Sequence, residues 1–66
     1  SEQNFSEHKT YLAKICYNHA GSYGTVRRLE DDLYECIFTE SQRAVTPGQA
    51  LVLYDGSLVA GGGTIL

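Results

Sequence analysis

Turn-forming residues recur along this chain about every ten residues, and no segment keeps the period of about 3.6 residues that an amphipathic helix requires. The clearest reversal is Thr46-Pro47-Gly48, where proline fixes φ near about −65° and glycine can adopt the positive φ of a type II turn. Asp55-Gly56 is a second signal, typical of a hairpin whose type I′ turn needs positive φ at both central residues. These regularly spaced turns, without a helical period between them, predict an all-β fold.

Alternating side chains predict strands between the turns. In segment 11–17 the odd-numbered residues form an apolar face, and the even-numbered ones, including Lys14, form the other face. In Leu33–Phe38 we expect the face that contains Phe38 to line the core, because the opposite face carries Glu35. The other predicted strands are Thr25–Leu29, Leu51–Tyr54, Ser57–Ala60 and Thr64–Leu66, with a loop at Asn18–Gly24 and a polar reversal at Glu30–Asp32.

These strands predict a small antiparallel, closed β-barrel of about six strands, since closure removes the exposed edges of a sheet. The run Gly61–Gly63 is expected to bend the last strand or to carry a bulge where the sheet closes. Ser1–Lys9 is polar and without period, so we interpret residues 1–9 as a flexible linker and residues 10–66 as the β-barrel domain.

Charge and hydropathy narrow the range of partners. The chain carries 5 Lys and Arg and a net charge of −3, which argues against strong nucleic-acid binding by this domain alone, because phosphate contacts need clustered cations. Arg27, Arg28 and Arg43 are the main candidates for phosphate contacts, and the alternative is that they form surface ion pairs. No apolar run approaches the roughly 20 residues that span a bilayer, so we expect a cytoplasmic protein without a membrane partner.

No catalytic or metal-binding motif is evident. Cys16 and His19 would point to opposite faces of a continuing strand, and no third group orients them. Glu30–Asp32 lacks the alternating spacing of a calcium loop and is interpreted as a solvated turn. Gly61–Gly63 is not part of a GxxxxGK-S/T phosphate loop. Cys16 and Cys36 are expected to be free thiols, with a single bridge between them as the alternative. The sequence therefore predicts no catalytic residue, metal or cofactor in this domain.

Three consecutive stretches are family-specific. They are Ser41–Ala50 (SQRAVTPGQA), Leu51–Gly56 (LVLYDG) and Gly61–Ile65 (GGGTI). Together they resemble the C-terminal domain of the tRNA-specific 2-thiouridylases, in which this region reads approximately PQRAVTPGQAVVFYDG and is followed by a GGG-I ending. The resemblance covers about residues 11–66 and is strongest over 42–65.

The resemblance implies a function for the whole enzyme and a role for this domain. The family enzyme uses ATP to adenylate the wobble uridine of certain tRNAs and then replaces the 2-oxygen with sulfur delivered as a cysteine persulfide. The ATP loop and the sulfur-handling cysteines belong to upstream domains, and neither Cys16 nor Cys36 matches them. The C-terminal domain is a β-barrel similar to those of translation elongation factors. Its implied partners are tRNA and the upstream catalytic and central domains, and a sulfur-relay protein serves the parent enzyme, a tRNA-uridine 2-sulfurtransferase.

The first strand departs from the family pattern. Where the family often has K-I/V-R-Y-R, this chain has Lys14-Ile15-Cys16-Tyr17-Asn18, so two arginines are replaced. The predicted tRNA contacts are Lys14, Arg27, Arg28 and Arg43. For Gln42 and Arg43, barrel architecture and contact with RNA or the neighbouring domain are equally favoured. The alternative is a docking barrel that braces the catalytic domains without touching RNA, which the net charge and the lost arginines favour.

Overall fold

The computed structural model describes residues 5–15, 18–42 and 45–66, and of residues 18 and 19 it describes the backbone only. Five strands make one antiparallel sheet in the order β3-β2-β1-β4-β5, which confirms the predicted all-β antiparallel fold. The strands are β1 Thr10–Ile15, β2 Asn18–Glu30, β3 Leu33–Phe38, β4 Ala50–Asp55 and β5 Leu58–Thr64.

The sheet curls into a half-barrel of five strands, one fewer than predicted, and its closure is not shown. The order begins at β3 and ends at β5, so these strands are the two edges of the described sheet. The two last predicted strands merge into β5, whose pairing continues past Thr64 because Ile65 N donates to Gln49 O at 2.9 Å. The predicted loop at Asn18–Gly24 is also wrong, since this segment is the first half of β2, a strand of 13 residues.

The glycine run stays in β5, and the expected bulge lies beside it. Tyr54 pairs with Val59 and Leu53 with Gly61, which leaves Ala60 as the extra residue. A Cβ placed on Gly62 would lie 2.8 Å from Leu51 O. The absence of a side chain at this position therefore allows β5 to approach β4 closely.

The two predicted turns differ in outcome. Gly48 has a φ of +90°, and Gln49 N donates to Thr46 O at 3.4 Å, which confirms the type II geometry at Thr46-Pro47-Gly48. The hairpin after β4 was predicted with the wrong central residues. Asp55 pairs with Leu58, so the central residues are Gly56 and Ser57, and only Gly56, with φ +60°, has a positive φ. These signs are those of a type II′ turn, which places glycine at the first central position.

The core lies on the concave side of the sheet. Its buried members are Tyr11, Ala13, Val26 and Leu53, which confirms the predicted apolar face of the first strand. The Phe38 face of β3 packs against them, as predicted, and remains partly buried. This concave side also holds an apolar cavity of about 570 Å³. In the described residues no helix is long and apolar enough to cross a membrane.

The described part of the N-terminal segment contacts the sheet. The Phe5 ring meets those of Tyr11 and Tyr34 edge-on, with centroid distances of 5.5 and 5.3 Å. Ser6 N donates to the Tyr11 hydroxyl at 3.0 Å, and Lys9 forms an ion pair with Asp55. Residues 5–9 are thus attached to the fold, and the domain boundary after residue 9 stays a prediction.

Candidate nucleic-acid interface

Arg27 lies on β2 directly opposite Glu35 on β3. Its guanidinium Nη2 donates to Glu35 Oε1 at 3.0 Å, and the Arg27 side chain remains 57% exposed. Cross-strand neighbours of opposite charge attract each other, but an exposed pair contributes only about 0–1 kcal/mol. Arg27 is thus partly neutralised and still accessible to a phosphate.

Arg28 forms an ion pair within its own hairpin. The partner is Asp31, in the turn between β2 and β3. Leu29 is the extra residue of a bulge here, since Arg28 pairs with Tyr34 and Glu30 with Leu33. Both arginines of the pair 27–28 are exposed, so the alternative of surface ion pairs describes their present contacts.

Lys14 has an aromatic partner. Its ammonium lies 5.3 Å from the centroid of the Tyr54 ring, within the range of a cation–π interaction. The ring belongs to β4, which pairs with β1. A Cβ on Gly21 of β2 would lie 3.0 Å from Lys14 Cγ, so the lysine stem passes over a position without a side chain.

The fold does not gather Lys14, Arg27 and Arg28, the predicted cations that the structure describes, into one cluster. Thr10 pairs with Thr25 and Tyr11 with Gly24, so the extrapolated register would place Arg27 opposite residue 8. Lys14 is therefore six positions, or about 20 Å, from Arg27 along the strand direction. Arg43 lies outside the described residues, and all four assignments to tRNA stay predictions.

Gln42 is held by contacts within the domain. Its Oε1 accepts from Ser22 Oγ at 2.7 Å, and its Nε2 donates to Glu40 O at 2.8 Å. The amide therefore ties the segment after β3 to β2, as the architectural interpretation of this residue expects.

A row of side chains on the convex side escaped the sequence analysis. Leu12 pairs with Tyr23 on one side and with Tyr54 on the other, so the three side chains form a row across β2, β1 and β4, here called the outer row. Tyr23 is 58% exposed. The row was missed because Tyr23 fell in a predicted loop, although the alternation of β1 already placed Leu12 opposite the core face.

Nothing described resembles a catalytic or metal centre. Cys36 is a free thiol, and its partial burial raises its pKa, which disfavours the nucleophilic thiolate. Cys16 and the side chain of His19 lie outside the described residues, so the Cys16–His19 hypothesis has no structural description. Among the described residues no three His, Cys, Asp or Glu side chains group together as metal ligands.

The curled antiparallel sheet, with its core on the concave side and paired cations on its surface, places the molecule in the class of small β-barrel domains. The chain belongs to the aminomethyltransferase beta-barrel domain family, whose model matches residues 1–65. No solved structure is significantly similar to it.

Its curated relatives agree with the resemblance drawn from the sequence. A tRNA-specific 2-thiouridylase of Lachnoclostridium phytofermentans is 50% identical over 64 residues, which are 97% of this chain and 18% of the relative. That of Syntrophomonas wolfei is 51% identical over 53 residues, 80% of this chain and 16% of the relative. That of Listeria innocua is 44% identical over 64 residues, 94% of this chain and 17% of the relative. The chain thus spans less than a fifth of each, and its resemblance to a 2-thiouridylase domain is confirmed.

Proposed function

We propose that this chain is the C-terminal accessory domain of a tRNA-specific 2-thiouridylase and that it helps to position tRNA for ATP-dependent 2-thiolation of the wobble uridine. The observation that carries the proposal is the 50% identity to such an enzyme over 97% of this chain. In this role the domain supplies binding energy and orientation, and the chemistry takes place elsewhere in the enzyme.

ATP binding and the sulfur-handling cysteines are assigned to upstream domains of the parent enzyme, and the sulfur donor is a separate relay protein. The run Gly61–Gly63 lies within a β-strand that pairs with β4, whereas a phosphate loop would precede a helix N-terminus. Cys36 is a half-buried thiol with a raised pKa, the opposite of what a persulfide carrier needs. The residues that the structure describes therefore fit neither group, and no step of the reaction is derived through them.

Two exposed arginines near the turn between β2 and β3 support a contact with RNA. Arg27 and Arg28 are exposed, and their present carboxylate partners are surface groups. Exchange of such a partner for a phosphate costs little, because each exposed ion pair contributes about 0–1 kcal/mol. With few cations available, the domain releases few counterions, and its tRNA affinity depends only modestly on salt.

The second candidate function is that of a docking barrel that braces the catalytic domains without contacting RNA. The observation that favours it is that Lys9, Arg27 and Arg28 are all paired with the chain's own carboxylates, in a chain of net charge −3. In this alternative the cations stabilise the barrel and attract no phosphate.

Reversing the two arginine charges separates the candidates. In the full-length protein, Arg27→Glu with Arg28→Glu is expected to raise the tRNA Michaelis constant of thiolation roughly tenfold, because two phosphate contacts become repulsive. The matched control is Glu35→Gln, which breaks the Arg27 ion pair without removing a cation. A Michaelis constant that is unchanged in the double variant would establish the docking function instead.

A further inference from the structure

The convex face of the sheet combines an exposed aromatic ring with a positioned cation. Tyr23 is 58% exposed and lies directly across from Leu12. Lys14 follows Leu12 by two positions on the same face of β1, which places it diagonally opposite Tyr23, about 7–8 Å away by Cα. Lys14 is the cation that lies over the Tyr54 ring, so Tyr54 fixes the ammonium and Tyr23 keeps an open ring.

The convex face is less acidic than the chain as a whole. By strand alternation and pairing, the charged residues described on the convex face are Lys14, Arg27, Glu35 and, at the end of β2, Glu30, which pairs with Leu33. Arg27 and Glu35 neutralise one another, and Lys14 and Glu30 are equal and opposite in charge, so this face has a net charge of about 0 on a chain of −3. Glu30 is the last residue of β2, and Asp31 and Asp32 form the turn between β2 and β3, so all three acids lie beyond the end of the outer row.

We infer that Tyr23 is a stacking residue for an unpaired RNA base and that Lys14 contacts the phosphate next to that base. Single-stranded RNA is bound on surfaces that pair aromatic rings with cations, since every base has a π-face and every nucleotide a phosphate. A protein partner fits this face less well, because lysine is depleted from the cores of protein interfaces. The inference rests on the proposed function and names the part of tRNA that the domain contacts, an unpaired loop nucleotide.

The fold supplies a rigid support for both groups. β1 is the central strand of the sheet, and β2 and β4 flank it. Gly21, which has a φ of +72°, leaves room for the side chains of Leu12 and Lys14, since a Cβ there would lie 3.0 Å from each. The Lys14 side chain is thus confined between the Gly21 backbone and the Tyr54 ring. A base stacked on Tyr23 would therefore lie at a fixed distance from the Lys14 ammonium.

The test compares binding of an eight-nucleotide single-stranded oligoribonucleotide and of its duplex by this chain, in an NMR titration. We expect the single strand to bind more tightly than the duplex. Tyr23→Ala is expected to weaken single-strand binding roughly tenfold, whereas Tyr23→Phe retains it. Lys14→Gln should lower the salt slope of log K by about 0.7, the contribution of one phosphate contact to a single strand. Ile37→Ala is the matched control, because Ile37 lies on the same face and is 57% exposed.

The failures of this inference and of the proposed function are distinguishable. Equal losses in Tyr23→Ala and Ile37→Ala, or equal binding of duplex and single strand, would overturn the stacking role. If Arg27→Glu with Arg28→Glu still raised the tRNA Michaelis constant of the full-length protein, the proposed function would stand. Absence of RNA binding by this chain together with unchanged thiolation kinetics in all these variants would overturn both.

Discussion

At the scale of single residues, each described cation of this chain already has a partner. Lys9 pairs with Asp55, Arg27 with Glu35 and Arg28 with Asp31, and Lys14 lies over the Tyr54 ring. These contacts orient the cations at low energetic cost, because surface ion pairs are weak and salt-screened. The same weakness leaves the cations able to exchange a carboxylate for a phosphate. A negative net charge is therefore compatible with an accessory role in RNA binding and incompatible with strong binding alone.

Cys36 gives the chain a pH-dependent stability at its alkaline end. Burial of this half-exposed thiol raises its pKa, so the folded state holds the thiol proton more tightly than the unfolded state does. The contribution is fully present below the unfolded-state pKa and is lost as the pH rises through the raised folded-state pKa. We expect the free energy of unfolding in urea to fall as the pH rises above about 8.5, the ordinary pKa of a cysteine thiol.

The control for this prediction is Cys36→Ala, in which the fall should be smaller. Only the pH slopes are compared, because the substitution also removes core contacts and lowers the stability at every pH. An identical slope in the two proteins would rule out the assignment to Cys36.

At the scale of the elements, two glycines set how closely neighbouring strands approach. A Cβ on Gly24 would lie 2.7 Å from Ile37 O, and one on Gly62 would lie 2.8 Å from Leu51 O. Both obstacles are backbone atoms in paired strands, which cannot move without loss of pairing. We expect Gly24→Ala and Gly62→Ala each to lower the free energy of unfolding by about 1–3 kcal/mol in urea denaturation.

The neighbouring Gly63 provides the comparison. It lies in the same strand, and no atom is within 4 Å of a Cβ placed on it. Gly63→Ala should therefore change the stability by less than about 0.5 kcal/mol. Similar losses at Gly62 and Gly63 would show that the backbone freedom of glycine, and not close packing, explains this run.

The buried face of β1 could be predicted from the sequence, whereas the first half of β2 could not. Alternation predicted the buried face of β1 because one side of the strand lines the core and the side chains on that side are apolar. The segment Asn18–Gly24 was mistaken for a loop because its glycines were interpreted as breakers. Gly24 instead lies buried against β3, and Gly21 accommodates the side chains of β1. Such approaches depend on strands far apart in sequence, which a local pattern does not contain.

The hairpin after β4 was predicted at the right place, but its central residues were not. Asp55-Gly56 predicted a reversal at the right place, but Asp55 is held in the ladder by its pairing with Leu58. The turn therefore shifts by one residue, and Ser57 replaces Asp55 as a central residue. The outer row could not be predicted from the sequence either, since it depends on the registers of three strands.

At the scale of the whole molecule, the half-barrel has two distinct sides. The concave side holds the core of Tyr11, Val26 and Leu53, together with an apolar cavity. The convex side carries Tyr23, Lys14 and Arg27, whereas Arg28 shares the face of Val26 at the end of β2. Since the chain spans less than a fifth of its relatives, the role proposed for it is one part of a larger task, the positioning of tRNA by Tyr23 and the exposed cations.

The most direct test of this assignment is the tRNA affinity of the full-length protein with and without residues 10–66, measured beside that of this chain alone. We predict that the deletion weakens tRNA binding at least roughly tenfold and that this chain alone binds more weakly than about 10 μM, with a shallow salt dependence. An unchanged affinity after the deletion, or tight and salt-resistant binding by this chain alone, would contradict the account.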